Sequence, residues 1–360
     1  MSTSQSDTAH SDTAHSDTVR SDTATELLAV TELLAATEKR RSLRSATDVP
    51  DRIFRVIASS SGTVVLIVMG LVGLFLAIRG YQALSVAGPS FITQPAWNPN
   101  SGTFGIAAVL SGTFFIALTA LATAVPLALG TSLYISEYAP GRLRGVLVSV
   151  VDLMAAVPSV VYGLWGVFFL SPAILPLSQW ITTYFGWIPL FAVTGFNPKD
   201  PLSSPTVFSA STFIAGIVVG LMVAPIASSI MREVFMQAPI GEREGALALG
   251  STKWGMIRSV VLPFGRGGII GGTMLGLGRA LGETIAVYLI ISPVFVIQPH
   301  LLEKGTNSIA ALIALRYNEA SAFEISALMA AGLALFLVTL VVNFGASTII
   351  ARSRSGSQSD

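Results

Sequence analysis

A 360-residue chain that is 52% hydrophobic and only 11% charged, with a mean hydropathy of +0.70, must turn much of its surface to something other than water. Soluble domains carry about a quarter charged residues. The chain has no cysteine, which excludes a disulfide framework and thiolate metal sites, and its three histidines show no ligand spacing. The reading is no bound metal; a net charge of +1 without a basic, aromatic-interleaved patch also argues against nucleic acid.

Residues 1–50 stand apart. SDTAH occurs at 6–10 and 11–15, then SDTV at 16–19 and SDTA at 21–24, a period of five in small polar residues. Such a tract buries too little apolar surface to offset its ordering entropy and is expected to be disordered. It is not a secretory signal, because no positive segment leads directly into an apolar core. Glu26–Ala36 has the pattern of a short amphipathic helix, and Lys39, Arg40, Arg41 and Arg44 form a basic cluster.

The membrane-embedded body is expected over 51–351, with a short polar tail at 352–360. Six apolar segments are long enough to cross a bilayer, which needs ~20 helical residues. They are Val56–Ile78, Gly105–Ser132, Val146–Leu170, Val207–Ile230, Gly268–Ile291 and Phe323–Val342. Pro126 and Pro158 predict kinks in the second and third, and Pro225 falls near the end of the fourth. With the N-terminus inside, sixteen Lys and Arg lie in inner segments and four in outer ones. That bias predicts both termini inside.

Between spans, Arg79–Thr103 reads as an outer loop rich in turn residues. Glu137 reads as an interfacial or interhelical contact, with Arg142 and Arg144 as inner anchors. Asp152 is either a gate residue or interhelical contact, or a solvated interfacial carboxylate. Pro158, Gly163 and Gly166 make the third span a candidate bent gating helix. In the outer loop Ser171–Pro205, SQWITTYFGW suggests a short helix at headgroup level.

The stretch 232–292 organises the rest. Met231–Met236 reads as a short turn or helix, and Ala238-Pro239-Ile240-Gly241 turns the chain. Glu242–Trp254 then reads as a helix, with Glu242 and Glu244 suiting its positive end. Gly250 interrupts it, Ser251 starts a second short helix to Val261, and Pro263 closes the unit. In the fifth span Arg279 lies near mid-membrane, where an isolated guanidinium is costly, so it must pair or face water. Glu283, four residues on, is the expected partner. The pair either lines a pathway or clamps the helix to a neighbour. Thr273 and Thr284 either join it or satisfy helix carbonyls. The glycine run at 265–278 has no lysine in the nucleotide-binding pattern and reads as helix packing.

Glu244-Gly245-Ala246, three residues, Gly250, nine residues and Val260-Val261-Leu262-Pro263 resemble the EAA loop of type I binding-protein-dependent ABC importer permeases. Gly245 stands for the first Ala of that pattern, and Val260 for its Ile. GLGRALGET at 276–284, PSVVYGLWG at 158–166 and SLYISEYAP at 132–140 resemble the phosphate-specific PstC-type branch over residues 50–350. The resemblance implies an all-α polytopic fold of six transmembrane helices with a cytoplasmic coupling helix in the loop 232–263. It implies a non-catalytic subunit forming half of a phosphate pathway in the lipid bilayer of the cell membrane. It implies a PstA-like sister permease, two PstB-like ATPases and a PstS-like external phosphate-binding protein. This chain itself would bind no cofactor, ATP-Mg belonging to the ATPases. The residues carried over are Glu244, Gly245, Ala246, Gly250 and Pro263 for coupling, Arg279, Glu283 and Thr284 for the pathway, and Asp152 and Pro158 as the candidate gate. The alternatives are an importer of the same build for sulfate, molybdate or another small solute, an ATPase-independent channel or carrier, and a structural membrane anchor.

Overall fold

The computed structural model describes residues 49–197, 200 and 203–355. The repetitive segment, its basic cluster and residues 356–360 lie outside the described residues.

In chain order the helices are α1 Val49–Ala87, α2 Ala107–Tyr138, α3 Gly141–Ala156, α4 Ser159–Phe185, α5 Thr212–Met236 and α6 Ile240–Ala248. There follow α7 Lys253–Phe264, α8 Arg266–Leu281, α9 Ile285–Ile290, α10 Ile309–Arg316 and α11 Ala322–Ser355. Between α1 and α2 a two-residue hairpin pairs β1 Trp97–Asn98 with β2 Thr103–Phe104, so that Trp97 faces Phe104. Among the described residues five helices are long and apolar enough to cross a membrane unaided, and six if the bent pair α7–α8 counts as one.

The chain divides into two compact units. In the first, residues 50–67 are the opening half of α1, exposed throughout. The second, residues 68–355, is built on the pair α2–α5, the most extensive helix contact in the protein. Ala117, Ala120, Ala124 and Ala128 recur every three or four residues along the buried face of α2. Ala120 and, beside it, Ile116, Thr119 and Thr123 meet Gly216 and Gly220, four apart on α5. A β-carbon at Gly220 would sit 2.8 Å from the Ala120 carbonyl oxygen, and one at Gly216 would overlap the Thr119 side chain. Small residues at helical spacing let two backbones close without a side-chain layer between them. α8 packs on the same helix through Gly268, Gly272 and Gly276. The glycine-rich run is therefore a packing face, as its spacing suggests.

A second core gathers Phe91, Trp97 and Phe104 with α10 and α11. There the Trp97 indole donates to Glu324 Oε1 at 3.3 Å, which satisfies two buried polar groups at once. A third core joins Leu133 of α2, Met231 and Phe235 of α5 and Met256, Ile257 and Val261 of α7.

Several boundaries depart from the sequence reading. The third span does not run through Pro158. α3 ends at Ala156, Val157 and Pro158 are extended, and α4 starts afresh at Ser159. A residue before proline is pushed out of the helical region, which ends the first helix there. α4 then continues to Phe185, so Trp180 and Tyr184 sit at its end and not on a separate surface helix. Likewise 231–236 is the end of α5, whose start is fixed by Ser211 accepting the Ile214 N–H at 3.4 Å. Pro225 thus lies mid-helix. α1 outruns its expected span by several residues at each end, and α11 continues helical into the expected polar tail.

Among the described residues three π-helical turns recur: Tyr134–Tyr138, Gly166–Leu170 and Ile257–Val261. Each ends two residues before a proline, at 140, 172 and 263. The wider turn sends the Ala139, Ser171 and Leu262 N–H groups five residues back, to the carbonyls of Tyr134, Gly166 and Ile257. A π turn is a one-residue insertion in the hydrogen-bond register. α4 and α7 run on through Pro172 and Pro263 after these turns, and Pro126, Pro176 and Pro225 also lie inside helices.

Candidate coupling elbow and permeation helix

The elbow is made of α6 and α7. α6 ends in a Schellman motif: the Ser251 N–H bonds the Ala246 carbonyl at 3.2 Å and the Gly250 N–H bonds that of Leu247 at 2.9 Å. The closing residue must take a left-handed conformation, and Gly250 has φ +86°. The chain restarts at Thr252, whose hydroxyl accepts the Gly255 N–H at 3.1 Å. The second helix therefore begins one residue later than expected. It also runs past Pro263, which sits in its last turn; the bend of 66° falls at Gly265. Ala246 packs against the core below. Glu244, Gly245 and Gly250 are exposed, and Leu249 stands 90% exposed at the apex.

The underside is held by charge. Arg243 Nη1 lies 3.2 Å from Glu137 Oε1 and donates to Oε2 at 3.4 Å; the Glu137 side chain is only 4% exposed. Arg243 Nη2 also donates to the Phe235 carbonyl. From the other limb, Lys253 Nζ sits 4.6 Å from the centre of the Tyr138 ring, a cation–π contact. From α3, Arg144 donates to the carbonyls of Ile135, at 2.9 Å, and Ser136. Glu137 is thus an interhelical contact, and Arg144 caps the end of α2. Three cations from three helices converge on Tyr134–Tyr138. Sequence reasoning missed Arg243 and Lys253 as its partners. Residues 106 apart leave no pairing signal in one sequence.

Beyond the bend, α8 ends at Leu281, and Gly282 to Thr284 separate it from α9. This overturns the continuous fifth span and, with it, the Arg279–Glu283 pair. The four-residue stacking of two side chains requires unbroken helix between them. Glu283 is instead 8% exposed, and its Oε1 accepts the Ala286 N–H at 3.2 Å in the first turn of α9. Arg279 is exposed and has no ion pair among the described residues. It lies on a strip with Leu275, Gly282, Ile285 and Tyr288, all exposed. Thr284 Oγ1 donates to the Gly282 carbonyl at 3.2 Å, and Thr273 Oγ1 to that of Ile269 at 2.7 Å, so both satisfy backbone.

The remaining expected site residues lie apart from this helix. Asp152 is exposed near the end of α3 and Pro158 is exposed in the break. Gly163 and Gly166 let α4 close on its neighbours. A β-carbon at Gly163 would lie 3.0 Å from Ala286 Cα, and one at Gly166 2.7 Å from a Val218 methyl.

An exposed helical elbow braced on a bundle of spanning helices, one of them broken beside a lone cation, defines the membrane subunit of a solute transporter. The chain belongs to the family of binding-protein-dependent transport system inner membrane components, which it matches over residues 124–355. It is 37% identical over 303 residues to the phosphate transport system permease protein PstC 2 of Mycobacterium tuberculosis, covering 83% of this chain and 91% of that one. It is 39% identical over 308 residues to the phosphate transport system permease protein PstC of Xylella fastidiosa, covering 85% and 92%. One chain in the crystal structure of a bacterial ABC transporter involved in import of the acidic polysaccharide alginate shares the fold. Its TM-score is 0.54 at 18% identity, over 84% of this chain and 98% of that chain. The protein is a multi-pass, non-catalytic permease subunit of an importer.

Proposed function

We propose that this permease conducts phosphate, driven by separate ATPases that grip the elbow. Support comes from the relatives, named as phosphate transport permeases over more than nine-tenths of their length. The partners are a PstA-like sister permease, two PstB-like ATPases carrying ATP-Mg and a PstS-like external binding protein. Both termini lie in the cytoplasm, on the side of the elbow. Leu249 enters the ATPase groove, Glu244 contacts its rim, and Gly245 and Ala246 allow close approach. Gly250 sets the angle between the two limbs. Asp152 and Pro158, in and after α3, form the gate region that moves with the stroke.

The observation that carries the pathway assignment is the unpaired Arg279 on an exposed face of a spanning helix. A guanidinium at that depth meets either water or an anion. Its planar fork suits two oxygens of a tetrahedral oxyanion. Glu283, tied to the α9 backbone, leaves Arg279 free to receive the ion and places a negative charge nearby that hastens release. Weak binding of this kind is what conduction requires.

The test is phosphate uptake by the complete importer in proteoliposomes. Arg279→Ala is expected to lower uptake at least tenfold while the complex is recovered intact. Loss of the complex, or full uptake by the variant, refutes the pathway role. Sulfate carried in place of phosphate refutes the solute.

A further inference from the structure

Thr306, Asn307 and Ser308, between α9 and α10, are three consecutive polar residues, each exposed by 3% or less. Ser308 Oγ accepts the Ala311 N–H at 3.1 Å and so starts α10. The Ile309 N–H donates to Thr113 Oγ1 at 3.0 Å and ties the segment to α2. Asn307 Oδ1 accepts the Ser308 N–H at 2.9 Å. That bond fixes which way the amide points, because only the oxygen accepts. The other amide atom, Nδ2, is shut from solvent and has no partner among the described residues.

Two N–H donors left buried without an acceptor are costly, and this pair stands beside a cavity that could hold one. Asn307 lines a cavity of about 360 Å³ with Tyr288, Ile291, Pro293 and Leu315. No carboxylate lines it. Tyr288 is also the last residue of the exposed strip that carries Arg279, so the cavity continues that strip away from the elbow.

We propose that Asn307 is a solute-contacting residue on the route, its Nδ2 donating to an oxygen of the oxyanion as it passes the end of α9. This rests on the oxyanion reading above. In the present state the cavity wall covers the donor. The change of state that parts α9 from α10 uncovers it, so the amide is offered during only part of the cycle. A neutral donor here attracts the ion without holding it as a second guanidinium would.

The experiment uses the complete importer, reconstituted with its binding protein, and reads phosphate moved per ATP hydrolysed. Asn307→Asp keeps the side-chain shape and the acceptor for Ser308, and replaces the donor by an anion. The ratio is expected to fall at least tenfold with complex recovery and ATP hydrolysis retained. An unchanged ratio overturns the assignment, as does a parallel loss of complex and hydrolysis, which marks a structural role. Asn307→Cys gives an independent readout, since the chain has no cysteine of its own. Its labelling by a small thiol reagent is expected to quicken during ATP turnover and to slow when phosphate-loaded binding protein is added. Labelling indifferent to both overturns the proposal. A wild-type importer that moves no phosphate removes the oxyanion reading itself, whereas an active wild type with an unaltered Asp variant removes only the role of Asn307.

Discussion

Glu137→Ala should release the elbow from the foot of α2. The substitution leaves the Arg243 guanidinium half-buried, with the Phe235 carbonyl as its remaining partner. Removing one member of a buried ion pair costs ~3–5 kcal/mol. Arg243 keeps 19% exposure and can extend its stem towards water, which places the expected loss at the lower end, about 3 kcal/mol. At 1.4 kcal/mol per decade that is ~100-fold in the equilibrium between docked and undocked elbow. Hydrogen exchange measured on the purified importer should show the α6 amides exchanging ~100-fold faster, with those of α5 unchanged. Transport per ATP should fall in parallel. Arg243→Ala and the double variant complete a cycle. A coupling energy below about 0.5 kcal/mol, the scatter expected of independent sites, would refute the view that the two side chains act as one strut.

Gly250→Ala should weaken the elbow by ~1–2 kcal/mol through its left-handed backbone, while Gly250→Asn, which tolerates that conformation, should be nearly neutral. Co-purification with the ATPase subunits checks both, and equal behaviour of the two variants would remove the conformational argument. Gly216→Val should prise α2 from α5, an overpacking cost of ~1–3 kcal/mol, read as lower thermal stability of the purified complex. In the loop before α10, burial draws the Glu303 carboxyl upward, but hydrogen bonds from the Thr194 hydroxyl and N–H, with His300 beside it, outweigh this and leave it below the usual value. The folded value lies under the unfolded one, so the clamp on Thr194 should hold fully above about pH 4.3 and slacken as pH falls through the folded value. Proteolysis of the Thr194 loop against pH tests this, and slackening already at pH 6 would refute it.

Spans and elbow were legible because their signals are local. Apolar length marks the helices, and a glycine after a short amphipathic run marks a left-handed stop at 250. The break at Gly282 was missed although the sequence marks it: Gly282, Glu283 and Thr284 interrupt the apolar run between Leu281 and Ile285, and a glycine followed by two polar residues is a stop signal. Assuming one helix there led directly to the wrong partner for Arg279. Pro263 misleads in the opposite direction. It reads as the end of the unit, yet the helix runs on to Phe264. The Glu137–Arg243 pair and the orphaned amide of Asn307 depend on contacts between distant segments, which a single sequence does not record.

The gathering of Arg243, Lys253 and Arg144 on the last turn of α2 has a mechanical consequence. α2 has 32 residues, a rod of ~48 Å, and the close-fitting alanine and glycine faces bind it to α5 along its middle. A push delivered at its foot is therefore borne by α2 and α5 together, because helices closed on small residues leave no loose joint to absorb it.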